Sequence, residues 1–209
     1  TLKAHLGKID NSLTRALCWS AAWDMLRDAE INATDFIDIA LAGLTGEDDI
    51  ATVTIIANQL VTAVEFYSFP SKRDSARLKV GNAFEMMLAN AKAGSDHQLQ
   101  FARNFTSFAS SAEHNDLIKE LLDGKLSGLK VDADLRWTFV IALAERGLMD
   151  KPALSAELLK DNTLTGQLSH ATALAALPLA EAKAETWKSI TTEEISRSER
   201  EAKLAGFMR

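Results

Sequence analysis

The chain has 209 residues, 47% of them hydrophobic and 25% charged, with a net charge of −6. That length makes one large domain or two small ones and buries roughly 70% of the unfolded surface. Phosphate binding needs clustered Lys and Arg, and here the basic residues are interleaved with acids, so nucleic acid is not expected as a partner. Ten Gly and three Pro are few for this length, and long helices follow because these residues are the main helix breakers.

The opening T-L-K-A-H-L-G-K-I-D has no apolar core, so no signal peptide is expected. No apolar run approaches the ~20 residues of a membrane span, and no membrane partner is expected. The chain begins with Thr1, not Met, consistent with a piece of something longer. From Ser12 to Glu30, Leu13, Ala16, Leu17, Ser20, Trp23 and Leu26 recur at helical spacing and predict one face of an amphipathic helix, not a strand. Cys18 lies in this run and reads as a small buried hydrophobe; with one cysteine, no intrachain disulfide exists, and a reducing, cytoplasmic setting is expected.

Thr34 caps a short helix that stops at Gly43. The run I-A-T-V-T-I-I-A-N-Q-L-V-T-A-V is rich in β-branched residues. Its apolar positions Ile50, Val53, Ile56, Ala57, Leu60, Val61 and Val64 keep helical spacing for fifteen residues, too long for an ordinary strand, and predict a buried helix. A helix from Lys72 to Ala93 ends at Gly94, and Ser95 caps the next. Ser110 and Glu113 have capping-box spacing for a helix through Leu122, and Gly124 and Gly128 bracket a loop.

Asp132 opens a helix that ends at Gly147. Asp150-Lys151-Pro152 starts another through Lys160, and Asp161 to Thr163 cap the one after. Pro178 fits a first helical turn, and Thr191 with Glu194 forms a second capping box. About eleven helices joined by two- to six-residue loops predict an all-α fold, a curved array of antiparallel helical hairpins of the HEAT/armadillo-like α-solenoid type, in one domain over 1–209. No fixed-period repeat signature occurs.

Chemistry is sparse. The histidines His5, His97, His114 and His170 show no H-E-x-x-H or i,i+4 pairing, so no metal site and no cofactor is expected within this segment. No G-x-S-x-G elbow and no phosphate loop occurs. V-D-A-D-L-R-W, residues 131–137, looks catalytic but is explained by a helix start. Asp132 takes the N-cap, Asp134 faces the helix dipole, Arg136 sits at i,i+4 to Asp132 for a local ion pair, and Trp137 joins the apolar face.

S-L-T-R-A-L-C-W-S-A-A-W-D-M-L-R-D-A-E at 12–30 resembles the start of the C-terminal helical domain of bacterial, actinobacterial-type aminopeptidase N. G-L-K-V-D-A-D-L-R-W, L-A-E-R-G, E-L-L-K-D-N-T-L-T-G-Q, A-E-A-K-A-E-T-W and A-G-F-M resemble it too, in order, over most of residues 9–209. That domain is related to the C-terminal domain of the endoplasmic-reticulum aminopeptidases. The resemblance implies a fragment, trimmed at both ends, of an enzyme that removes N-terminal residues from peptides. The family's G-A-M-E-N-like motif and H-E-x-x-H zinc motif lie in an earlier domain and have no match here. Zinc is therefore implied for the parent enzyme only, and this segment alone is expected to be noncatalytic.

The resemblance further implies a bowl over the catalytic domain of the same chain, limiting access to short or unfolded peptides. Arg136, Gln167 and His170 are the candidate substrate-binding residues. The alternative reading is a free-standing α-solenoid scaffold for a protein or peptide partner.

Overall fold

The computed structural model describes residues 2–209. Among them are twelve α-helices and no strand. The chain divides into two compact units, one of residues up to His114 with Ser127–Leu129, the other of Asn115–Leu126 and Lys130–Arg209.

The first unit begins with a single turn, α1 (Leu2–His5), which continues into a 3-10 turn at Leu6–Lys8. This turn is the helix beyond the eleven expected. Next come α2 (Ser12–Arg27), α3 (Ala33–Leu44), α4 (Ile50–Thr62), a π-turn at Ala63–Tyr67, α5 (Pro70–Asn90) and α6 (Asp96–Phe108). Helix α7 (Ala112–Leu122) starts in the first unit and ends in the second. The second unit continues with α8 (Ala133–Glu145), α9 (Lys151–Lys160), α10 (Leu164–Ala176), α11 (Ala180–Thr192) and α12 (Arg197–Phe207).

Packing between alternate helices recurs in both units. Within the first, α1 packs on α3, α3 on α5, and α4 on α6. In the second, α10 is the hub, packing most extensively on α12 and then on α8. This pattern is what layered helical hairpins produce, because each helix meets its equivalent in the next pair as well as its own hairpin partner.

Helix starts follow local capping chemistry. Asn11, Asn32, Asp49, Ser95, Asp132, Asp150, Thr163 and Ser196 each accept a backbone N–H of the first turn. Pro70 and Pro152 sit in first turns, where a missing N–H costs nothing.

Four predicted starts move. Asn32 caps α3 in place of Thr34, one turn-half earlier, because its side chain already reaches the Asp35 N–H at 3.0 Å. Ser111, not Ser110, accepts from the His114 N–H, while the Ser110 N–H donates to His114 Nδ1. Pro178 lies before α11, outside its first turn, and Leu179 occupies the N-cap without a side-chain bond. Thr191 and Thr192 finish α11, their hydroxyls bonding carbonyls of the preceding turn, and the final helix is capped by Ser196. At Asn32/Thr34, Ser110/Ser111 and Thr191/Thr192 more than one short polar side chain could serve the loop, and local chemistry does not choose between them.

The β-branched run is a helix, as its period requires. With the π-turn it makes a continuous helical stretch, Ile50–Tyr67, of 18 residues and mean hydropathy 1.3, long and apolar enough to cross a membrane. This is longer than the sequence reading allowed. Val53, Ile56, Ala57, Leu60, Ala63 and Val64 are at most 1% exposed, packed by α3 and α6; the stretch does the work of a core helix.

Helix α2 forms as its spacing predicts, but its apolar residues are split between two sides. Leu13 and Leu17 are 69% and 64% exposed, and the buried side consists of Arg15, Trp19, Ala22 and Leu26. Cys18 is half-buried and free, not enclosed as expected. The helix is apolar on both sides, so periodicity alone cannot orient it.

Candidate functional site

The stretch at 131–137 opens α8 as expected, with Asp132 Oδ1 accepting the Leu135 N–H at 2.9 Å. The local ion pair is different. Arg136 reaches across to α9 and grips Glu157 with two bonds, Nε–Oε2 at 2.6 Å and Nη2–Oε1 at 2.9 Å, and also donates to the Leu122 carbonyl. A two-pronged guanidinium–carboxylate contact with a nearly enclosed carboxylate is stronger than an exposed i,i+4 pair, so Asp132 loses the competition. Lys160 adds a bond to Glu157 at 2.7 Å. Burial alone would raise the Glu157 pKa, but the Arg136 and Lys160 bonds outweigh it and hold the carboxyl below the usual range.

Trp137 is 4% exposed within the core of the second unit, beside Val140, Leu154, Ala173 and Leu177. Its indole N–H donates to Asp161 Oδ2 at 2.9 Å, and Thr163 donates to the other oxygen. These two bonds, that from Thr163 first, lower the Asp161 pKa. His170 stands edge-on to Trp137 with ring centroids 6.4 Å apart. Its Nε2 is enclosed with no hydrogen-bond partner, and burial lowers its pKa. Gln167 is on the surface, bonded to Asn162 Oδ1 at 3.1 Å. Arg136 ties α8 to α9 and to the end of α7, His170 stands against Trp137, and Gln167 bonds within the start of α10.

The depressed His170 pKa has a definite sign. Above the ordinary value of 6.5 both folded and unfolded histidine are neutral. Below it the unfolded chain takes up a proton that the folded chain resists, so stability falls with pH in that window. His170→Gln is expected to flatten this part of the stability–pH curve, measured by urea unfolding at pH 7.5, 6 and 5; an unchanged slope would assign the acid sensitivity elsewhere.

The polar centre of the first unit was not foreseen. Arg15 and Glu47, with side chains 6% and 1% exposed, form a buried ion pair. The Arg15 guanidinium donates to both Glu47 oxygens, to the Ile9 and Asp10 carbonyls, and to Asp48. Glu47 also accepts from the Trp19 indole at 3.0 Å and the Asp49 N–H at 3.2 Å. Burial pushes the Glu47 pKa up, yet the Arg15 and Trp19 bonds prevail and keep it low. His97 Nε2 bonds the Glu47 carbonyl at 2.9 Å. Thirty-two residues separate Arg15 from Glu47, and G-E-D-D reads as a solvated loop, so no local pattern links them. The one usable signal was Arg15 with Trp19 at i,i+4, two polar-tipped side chains on a shared face.

Two cavities lie in the first unit. One, of about 780 Å³, is lined by Leu41, Leu44, Met86, Met87 and Phe101 with Glu47 and His97 at its edge. The other, of about 850 Å³, runs beneath Tyr67 and Phe69 beside Asn32, Lys72 and Lys79. Neither contains Arg136, Gln167 or His170. Among the described residues no three His, Cys, Asp or Glu side chains converge as metal ligands. His114 is committed to Asn82 Oδ1 at 2.8 Å and to the Ser110 N–H. This donor set does not fit a zinc ion.

The fold and its polar clusters thus define an all-helical domain whose charged groups hold helices to one another. Residues 1–209 match the model of the ERAP1-like C-terminal domain, and the chain belongs to that family. It is 41% identical over 207 residues, 98% of its length, to Aminopeptidase N of Streptomyces lividans. The chain spans 24% of that relative.

Proposed function

We propose that this segment is the noncatalytic C-terminal domain of a zinc-dependent aminopeptidase N. In this reading the parent enzyme removes N-terminal amino acids from peptides. The domain encloses the active-site chamber and admits only short or unfolded chains. The observation that carries the reading is 41% identity across 98% of the chain, confined to a quarter of an aminopeptidase N. In this reading zinc belongs to the parent's other portion. A single half-buried cysteine suits a reducing cytoplasm.

The coding sequence upstream of Thr1 is expected to contain His-Glu-x-x-His with a distal glutamate. An in-frame start codon directly before Thr1 would sink the reading. In the full enzyme, deleting this segment should let larger, structured peptides compete for the site. Unchanged size selectivity in the deletion variant would remove the gating role while leaving the family assignment intact.

A further inference from the structure

Gly81 of α5 leaves the space in which a buried ring sits. A Cβ at that position would lie 2.7 Å from His114 Cε1 and 2.8 Å from the Phe108 carbonyl oxygen. His114 fills the space with 2% of its surface exposed, edge-on to Phe105 with ring centroids 5.1 Å apart. Both ring nitrogens are engaged. Nδ1 accepts the Ser110 N–H at 3.2 Å, and because a backbone N–H can only donate, this nitrogen carries no proton. Nε2 therefore bears the hydrogen and donates to Asn82 Oδ1 at 2.8 Å. The same Nε2 lies 3.4 Å from Oε2 of Glu85, whose side chain is 44% exposed.

This tautomer gives the ring two states with different partners. A second proton has to enter at Nδ1, where it meets the Ser110 N–H head-on and abolishes that bond. The imidazolium so formed has a carboxylate at hand in Glu85, whereas Asn82 offers only a neutral oxygen. Of the elements around the ring, α5 supplies Glu85 as the facing charge, and α6 supplies the Phe105 ring and the Phe108 carbonyl. On α7 itself Glu113 precedes His114 in sequence. We propose that His114 is an acid-operated latch on the turn between α6 and α7. Neutral, it holds Ser110 and keeps the turn closed; protonated, it releases Ser110 and pairs with Glu85. Histidine is the side chain that ordinarily changes charge between about pH 5 and 8, and a ring bound at both nitrogens turns that change into a local opening. The latch lies wholly within the first unit and stands independently of the function proposed above.

The test is amide hydrogen exchange of the full-length protein from pH 7.5 to 5, read peptide by peptide by mass spectrometry. Each rate is corrected for the intrinsic pH dependence of exchange. The peptide covering residues 109–114 is expected to lose about tenfold in protection on acidification, the worth of one ordinary hydrogen bond, while peptides from α4 in the same unit keep theirs. In Glu85→Gln the midpoint of that loss should fall by about half a pH unit or more, because the imidazolium has lost its anionic partner. In His114→Gln, which keeps a neutral donor and acceptor, the pH dependence should vanish. Protection that stays flat in the unsubstituted protein would overturn the proposal, as would a loss shared equally by α4. So would an unmoved midpoint in Glu85→Gln, or a pH dependence that persists in His114→Gln.

Discussion

Glu47→Ala is expected to be among the most damaging single substitutions in the first unit. Removing the carboxylate leaves the Arg15 guanidinium enclosed with only Asp48 and two carbonyls to face. It also strips the Trp19 indole N–H of its acceptor and frees the loop that Glu47 ties to Asp49. Breaking one side of a buried pair shifts the folding equilibrium by about a thousandfold, far more than the pair's net contribution. The measurement is the urea midpoint of the first unit, followed by far-UV circular dichroism. Glu47→Gln should cost less, because it retains an acceptor for Trp19. The double variant Arg15→Met with Glu47→Leu should recover most of the loss, since two apolar side chains leave no charge stranded. A Glu47→Ala protein as stable as the parent would show that water or rearranged carbonyls satisfy Arg15.

Trp137→Ala should be the corresponding lesion in the second unit. The indole is 4% exposed, lies in the cluster with Val140, Leu154, Ala173 and Leu177, and braces both Asp161 and His170. Truncating a buried tryptophan costs about 3–5 kcal/mol through lost transfer energy and the cavity left behind. Trp137→Phe keeps most of the apolar volume and loses the indole donor, so it should cost clearly less. It should also let the Asp161 pKa drift back toward ordinary aspartate, because one of the two bonds lowering it is gone. Chemical denaturation with the two variants in parallel separates packing from hydrogen bonding. Equal losses for Ala and Phe would place the energy in the Asp161 bond.

The different visibility of these two centres has a physical basis. The spacing of Trp137 with Val140, Ile141 and Ala144 puts it on an apolar face, and the structure seats it in the core. Its neighbour Asp132 was assigned to the N-cap and caps α8. Both properties depend on residues within one or two turns. Arg136 was paired with the nearest carboxylate in the sequence, yet it bonds one 21 residues away, because α9 folds back beside α8 and offers Glu157 in a drier place. Arg15 has no local signal for the same reason, its partner being supplied by the loop after α3.

Capping shows the boundary at finer scale. Where one short polar residue stood before an apolar run, as at Ser95, Asp132 and Asp150, the start was legible. Where two candidates were adjacent, as in Ser110-Ser111, or where threonines could close one helix or open another, as at 191 and 192, local chemistry offered equal alternatives. The glycines at 94, 124, 128 and 147 were read as ends or loop brackets, and all four adopt positive φ, which residues with a Cβ rarely tolerate.

By itself the sequence determined the helical class, the helix boundaries to within a few residues and, through several motifs in order, the family. These follow from period, capping and turn chemistry, which act over a handful of residues. Only the tertiary structure decided which side of α2 faces inward, which carboxylates Arg15 and Arg136 hold, and that the Nε2 of half-buried His170 is enclosed without a partner. Those outcomes depend on which distant helix lies alongside. A helix apolar on both sides, or an arginine with several acids in reach, has no local preference strong enough to choose.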